Sequence, residues 1–117
     1  MVSRVTDCLF CKIVSGDIPS ETIYETDLVL AFRDVNPVAP THVLVITKVH
    51  IQDILGLEGQ PDLSQALLDG CREVARLENI AEQGFRVVTN TGAESGQSVF
   101  HLHLHVLGGR RMAWPPG

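Results

Sequence analysis

From Val99 to Leu107 the run V-F-H-L-H-L-H-V-L alternates polar and apolar positions over its central part, the period of a half-buried β-strand. Upstream, Thr41–Thr47 (THVLVIT) is β-branched and apolar and predicts a buried strand. Shorter runs at 22–25 (TIYE) and 28–32 (LVLAF) flank a Glu-Thr-Asp turn and predict a hairpin; 85–89 (FRVVT) predicts one more strand. Between Asp62 and Glu78 the period changes. Leu63, Leu67, Gly70, Cys71, Val74 and Leu77 recur at helical spacing and form one apolar stripe, with Cys71 read as core. His50–Leu57 predicts a short helix. Gly16-Asp17-Ile18-Pro19, the two-proline segment 34–40, the small-residue stretch 90–98 and the tail after Gly109 predict turns and loops.

Strands, then helix, then strands argue for an α+β class with an antiparallel sheet and helices covering one face. The 117 residues are one domain's length, 1–117, and 44% apolar composition can fill a core. A net charge of −5 without a basic block argues against a nucleic-acid partner but leaves a compact nucleotide as ligand. No apolar run nears the ~20 residues that span a bilayer, and the N-terminal segment lacks a signal-peptide core, so a cytoplasmic protein without membrane contact is expected.

The strand rule places His101, His103 and His105 on one face, about 7 Å apart, and Leu102, Leu104 and Val106 on the other. Imidazole serves as nucleophile, acid, base or metal ligand. Two chemistries fit such a row. One is an open zinc site using the histidine pair with a remote His42 or His50; the other is attack at phosphorus through a covalent phospho-histidine. The pattern alone does not choose between them. The loop before the strand, Asn90–Ser98, carries Gly92 and Gly96, where the backbone can approach a ligand closely and donate from a nest of N–H groups. At the other end of the chain, Cys8-Leu9-Phe10-Cys11 offers two thiolates to a tetrahedral zinc; a redox pair or two plain thiols are the alternatives.

Taken together, His101-Leu102-His103-Leu104-His105-Val106-Leu107 resembles the signature of the histidine triad family. The flanks Gly96–Phe100, Gly108-Gly109-Arg110, Trp114–Gly117 and Pro40–Ile46 resemble its nucleotide-binding Hint branch. The resemblance runs from about Cys8 to the last residue. It implies a five-stranded antiparallel sheet with one long and one short helix, and a homodimer with a continuous sheet. The implied activity is hydrolysis of purine nucleoside phosphoramidates of the AMP or GMP type, and of acyl-adenylates, through a nucleotidyl-histidine. A nucleotide-binding scaffold with vestigial hydrolysis and a dinucleoside polyphosphate hydrolase are the rival readings.

Position by position, the resemblance makes His103 the nucleophile, His105 the phosphate contact, and His101 the residue whose carbonyl orients His103. Ser98 meets the leaving amine. Gly96, Gln97 and Asn90 line the phosphate site, and Asp34 with Val35 takes the ribose. Phe10, Ile13, Ile18 and Phe32 form the base slot, and His42 stands behind the triad. No catalytic cofactor is implied; a structural zinc on Cys8, Cys11, His50 and His101 is. Ala113 and Arg111 depart from the histidine and the neutral amide common in that branch, which bears on the leaving-group side.

Overall fold

The computed structural model describes residues 7–117; the first six residues of the N-terminal segment lie outside it. Five strands form one antiparallel sheet: β1 (Thr22–Glu25), β2 (Val29–Arg33), β3 (Thr41–Thr47), β4 (Phe85–Val88) and β5 (His103–Gly108), in the order β1-β2-β3-β5-β4. Strand β3, buried along its whole length, is the central strand, and β5 lies beside it. Their register sets the site: Ile46 pairs with His103, Leu44 with His105, and His42 with Leu107.

Helix α2 (Pro61–Leu77) covers one face. Its Leu67, Cys71, Val74 and Ala75 pack on Val29, Ala31, Val43, Val45, Leu102, Leu104 and Val106. Leu77, assigned to the buried stripe by its spacing, is 43% exposed, because α2 ends there and Ala75 takes the inner position.

The opposite face departs from expectation. A helix that the sequence pattern did not reveal, α1 (Leu9–Ser15), lies there and sets Phe10 against Leu30, Phe32, Leu44 and Ile46. The helices therefore sandwich the sheet rather than cover one face. The thiol of Cys8 caps α1 by accepting from Cys11 N–H at 3.4 Å, and Gly16 closes it in the left-handed region at φ +85°. Cysteine is not among the usual N-caps, which is why the start is invisible in the pattern.

The helix expected at 50–57 shrinks to a 3-10 turn, Ile54–Leu57, capped by Asp53. Residues before it are claimed elsewhere: His50 points at Cys11, and Ile51 C=O accepts from Leu102 N–H at 2.6 Å. For the same reason the final strand begins at His103, not Val99. Leu102 N–H and Val99 C=O are satisfied by Ile51 and Gln97 instead of by a ladder.

Candidate active site

Three partner groups surround the histidines, and each fixes a tautomer. His103 is buried on β5, with its ring edge-on to Phe10 at 5.0 Å. Its Nδ1 lies 2.6 Å from the main-chain oxygen of His101. A carbonyl only accepts, so Nδ1 carries the proton and Nε2 keeps its lone pair. Thr89 Oγ1 donates to the carbonyl of His103 at 2.8 Å and holds the residue from the β4 side.

His105 is half-buried beside it, ring centroids 5.1 Å apart. Its Nδ1 is 2.9 Å from His42 Nε2. His42 Nδ1 accepts from Val38 N–H at 3.1 Å, so the proton of a neutral His42 sits on Nε2 and is offered to His105. His105 then carries its own proton on Nε2, on the far side of the ring. Burial lowers the pKa of His42, against the pull of Asp34. Burial, with His103 and His42 nearby, pushes His105 down to about 4. The two adjacent rings of the strand therefore present opposite faculties, a lone pair on His103 and an N–H on His105.

His101 is fully buried and serves two neighbours. While its carbonyl holds His103, its Nε2–H donates to Thr47 C=O at 2.7 Å. Burial pushes its pKa down to about 4. The remaining nitrogen, Nδ1, faces Cys8 Sγ at 3.3 Å and Cys11 Sγ at 3.6 Å, and His50 Nδ1 faces Cys11 Sγ at 3.4 Å. All four donor atoms lie within 4.8 Å of one another. A tetrahedral zinc with ordinary bond lengths separates sulfur and nitrogen ligands by about 3.6 Å, so this cluster fits the ion. The Thr47 bond supplies the usual outer partner that orients a ligating imidazole.

The other expected residues fall around this centre with varied roles. Asp34 is mostly buried, its Oδ1 accepting from Asn36 N–H at 2.8 Å and its Oδ2 lying 3.4 Å from His42 Nε2. Val35 beside it is 90% exposed. Phe10 and Phe32 are buried against each other at 5.7 Å between centroids, so they floor the site as core, while Ile13 and Ile18 are half-buried. Asn90 is half-buried and Ser98 exposed at the end of the loop.

Within that loop Gly96 takes a left-handed φ of +83°. Its N–H donates to Ala93, Gln97 N–H donates to Gly92 C=O, and Gly92 N–H donates to Gln97 Oε1. Gln97 is buried and its Nε2 donates to Gln52 and Val99. The nest expected from the glycines is thus not open at these three N–H groups, which brace the loop itself. Thr47 and Thr89 were missed in the sequence because a threonine in a strand is ordinary; only the fold shows what each hydroxyl or carbonyl meets.

A family profile described as the HIT domain matches residues 15–112. This chain belongs to the histidine triad family. Triad relatives align over nearly its whole length. A 14 kDa zinc-binding protein of Brassica juncea is 46% identical over 95% of this chain and all of its own. Adenylylsulfatase HINT1 of Arabidopsis thaliana is 47% identical over 93% of this chain and 76% of its own. The crystal structure of a HIT family hydrolase from Legionella pneumophila superposes with a TM-score of 0.91 at 46% identity, covering 95% of this chain and all of that one. The triad fold expected from the resemblance, a five-stranded antiparallel sheet with two helices, is the fold observed. Solved structures that share this fold include proteins named HIT family hydrolases. No helix among the described residues is long and apolar enough to cross a membrane.

Proposed function

We propose that this protein hydrolyses the P–N bond of AMP- or GMP-type phosphoramidates, with acyl-adenylates as a second class of substrate, through a nucleotidyl intermediate on His103. The observation that carries the reading is the pairing of tautomers: an unprotonated Nε2 on His103 next to an N–H on His105. Attack and charge neutralisation at one phosphate need those two faculties side by side.

In the first step His103 Nε2 forms a bond to phosphorus and the P–N bond breaks. The leaving amine takes a proton relayed from solvent by the Ser98 hydroxyl. Through this step His103 keeps its Nδ1 proton, and the His101 carbonyl stabilises the cationic ring. His105 Nε2–H faces the phosphoryl oxygens. Water then attacks phosphorus, loses a proton to solvent and releases the nucleoside monophosphate, restoring neutral His103. Asp34 takes the ribose hydroxyls, beside Val35. Asn90, Gly96 and Gln97 bound the phosphate side, and the base lies against Ile13 and Ile18 above the Phe10–Phe32 floor.

Cys8, Cys11, His50 and His101 are assigned a structural zinc. The ion would pin His101 and so the carbonyl that holds His103; a reducing cytoplasmic setting keeps both thiols available as ligands. The relative named for zinc binding supports this assignment. A homodimer with a continuous sheet is also proposed. Strand β4 is a sheet edge whose Phe85 and Val87 remain exposed, as does Leu68 on α2; sedimentation at micromolar concentration reads the state.

The deciding experiment is turnover of adenosine 5′-phosphoramidate by the wild type and by His103→Ala, with the nucleotidyl-histidine trapped and located by mass spectrometry. Loss of turnover and of the adduct in the variant is expected. Undiminished turnover refutes the mechanism. Tight AMP binding with no turnover by the wild type would favour a binding protein instead. Turnover of diadenosine polyphosphates in preference to the phosphoramidate would reassign the substrate.

A further inference from the structure

The cysteine pair stands where it can do more than hold an ion. Cys8 caps helix α1 and Cys11 follows in its first turn, with Cys11 N–H donating to Cys8 Sγ at 3.4 Å. The two sulfurs face one nitrogen, His101 Nδ1, at 3.3 and 3.6 Å, and lie within 4.8 Å of each other. Closing that gap to a bond of about 2 Å takes less than about 3 Å of movement, shared between two side chains that rotate about single bonds. Cys8 is half-exposed, so a peroxide in solvent reaches it first, and Cys11 is buried beside it. Cys71 lies in the core under α2, on the opposite face of the sheet, and cannot be the partner. The Cys8 sulfur attacks a peroxide oxygen, the O–O bond breaks, and one water leaves with Cys8 as a sulfenic acid. The Cys11 sulfur then attacks the Cys8 sulfur, the S–O bond breaks, and a second water leaves the disulfide. The two thiols give up two electrons and two protons, all taken by the peroxide.

We propose that Cys8 and Cys11 form a reversible oxidation site, at which peroxide closes a disulfide that cannot hold the metal and that slackens the nucleophile. His101 carries the effect. Its Nε2–H is spent on Thr47 C=O, so its Nδ1 is a fully buried acceptor. In the reduced protein that nitrogen meets a thiol proton or, with the zinc assigned to this cluster, the ion. A disulfide supplies neither, and an unpaired buried acceptor is costly enough to turn or shift the ring. The carbonyl of the same residue holds His103 Nδ1–H at 2.6 Å. Phe10, between the two cysteines in the chain, has its ring edge-on to His103 at 5.0 Å and to His101 at 5.8 Å, so a change in the pair reaches the nucleophile through a second contact. Cys8 and Cys11 touch no substrate atom; they position His103 through His101 and Phe10. The effect on turnover rests on the reading of His103 as the nucleophile.

The test treats reduced, zinc-supplied wild type with hydrogen peroxide and then with dithiothreitol. Peroxide is expected to remove two hydrogens from the peptide carrying Cys8 and Cys11 and to release zinc to a coloured chelator. It should also lower kcat for adenosine 5′-phosphoramidate about tenfold or more, the scale of a small misplacement of an attacking atom. Dithiothreitol with zinc restores all three. Independently of turnover, ¹⁵N shifts of the His101 ring should move on oxidation and return on reduction. Cys8→Ser and Cys11→Ser, each compared with itself before and after peroxide, should show no loss of kcat that dithiothreitol reverses; Cys71→Ala should respond as the wild type does. A disulfide that leaves kcat unchanged overturns the proposal, as does oxidation of Cys8 with no disulfide to Cys11. Protein that binds no zinc overturns the zinc assignment, and the peptide masses and kcat still decide. Reduced protein with no turnover overturns the phosphoramidase reading; His101 shifts that ignore the disulfide then overturn the switch as well.

Discussion

Replacing His105 by glutamine should flatten the acid limb of the stability curve. In the fold the ring titrates near 4, chiefly because it is buried; in the unfolded chain it titrates near 6.5. Between those values the unfolded state binds a proton that the native state does not, so stability rises with pH. The contribution of the neutral ring is intact above pH 6.5, is lost progressively as pH falls toward 4, and is constant below that. The linkage expression gives a loss of about 2 kcal/mol at pH 5. The ring is only half-buried, and solvent screening reduces this to about 1 kcal/mol. Urea unfolding of wild type and His105→Gln at pH 8, 7, 6 and 5 reads the effect as the difference between two stability curves. His101 is present in both proteins, so its contribution cancels in that difference. The curves should converge toward acid pH by about 1 kcal/mol between pH 8 and pH 5. Parallel curves would show that His105 is not held neutral by its surroundings.

Three further outcomes follow from particular contacts. Arg33→Ala removes a two-pronged pair to Glu78, at 2.6 and 2.8 Å, and a third bond to Glu21; with Glu78 mostly buried, a loss of about 1–2 kcal/mol is expected in urea unfolding, and an unchanged midpoint would count against it. Gly108→Ala puts a methyl group 2.6 Å from Ile80 Cδ1 and 3.1 Å from its Cβ, so overpacking should cost about 1–3 kcal/mol and be partly relieved by Ile80→Ala; a thermal midpoint equal to wild type would refute the close approach. The Cys71 thiol, pushed up to about 11 by burial, should stay unlabelled by iodoacetamide in native, metal-free, reduced protein while Cys8 is labelled; mass spectrometry of peptides distinguishes them, and early labelling of Cys71 would contradict its place in the core.

The strands were legible because their signal is local. Thr41–Thr47 is found at its predicted bounds, and the alternation around His103 and His105 alone assigns two faces that the fold keeps. The long helix was read from its stripe to within a residue at each end. What escaped has a different character. Helix α1 is capped by a cysteine thiol and held by contacts to strands far along the chain, neither of which leaves a periodic trace in seven residues. The start of β5 was set too early because strand-forming residues continue back through Val99–Leu102 although the ladder does not; Ile51 and Gln97 take those backbone groups. At the site, the cluster of Cys8, Cys11, His50 and His101 could be named only through resemblance. Spacing supplies two ligands, whereas the fold must bring the other two. The braced loop shows the reverse case: glycines that read as a phosphate nest spend their N–H groups inside the loop, Gly92 on Gln97 Oε1 and Gly96 on Ala93 C=O.

That brace separates two parts of the protein that evolution can treat differently. His103 and His105 ride on a central strand, so their spacing is inherited from the core and any substitution that moves them is also selected against as a folding defect. The segment leading to Ser98 is closed by Gln97 upon itself, outside the ladder, and the positions between its anchors are exposed. Apart from Gly96, whose left-handed φ favours glycine, residues there can drift with little penalty in stability. On the proposed mechanism, a lineage can exchange one leaving group for another by altering a few exposed side chains while the proposed nucleophile stays where it is, and divergence in substrate should collect in that loop long before it reaches the strand.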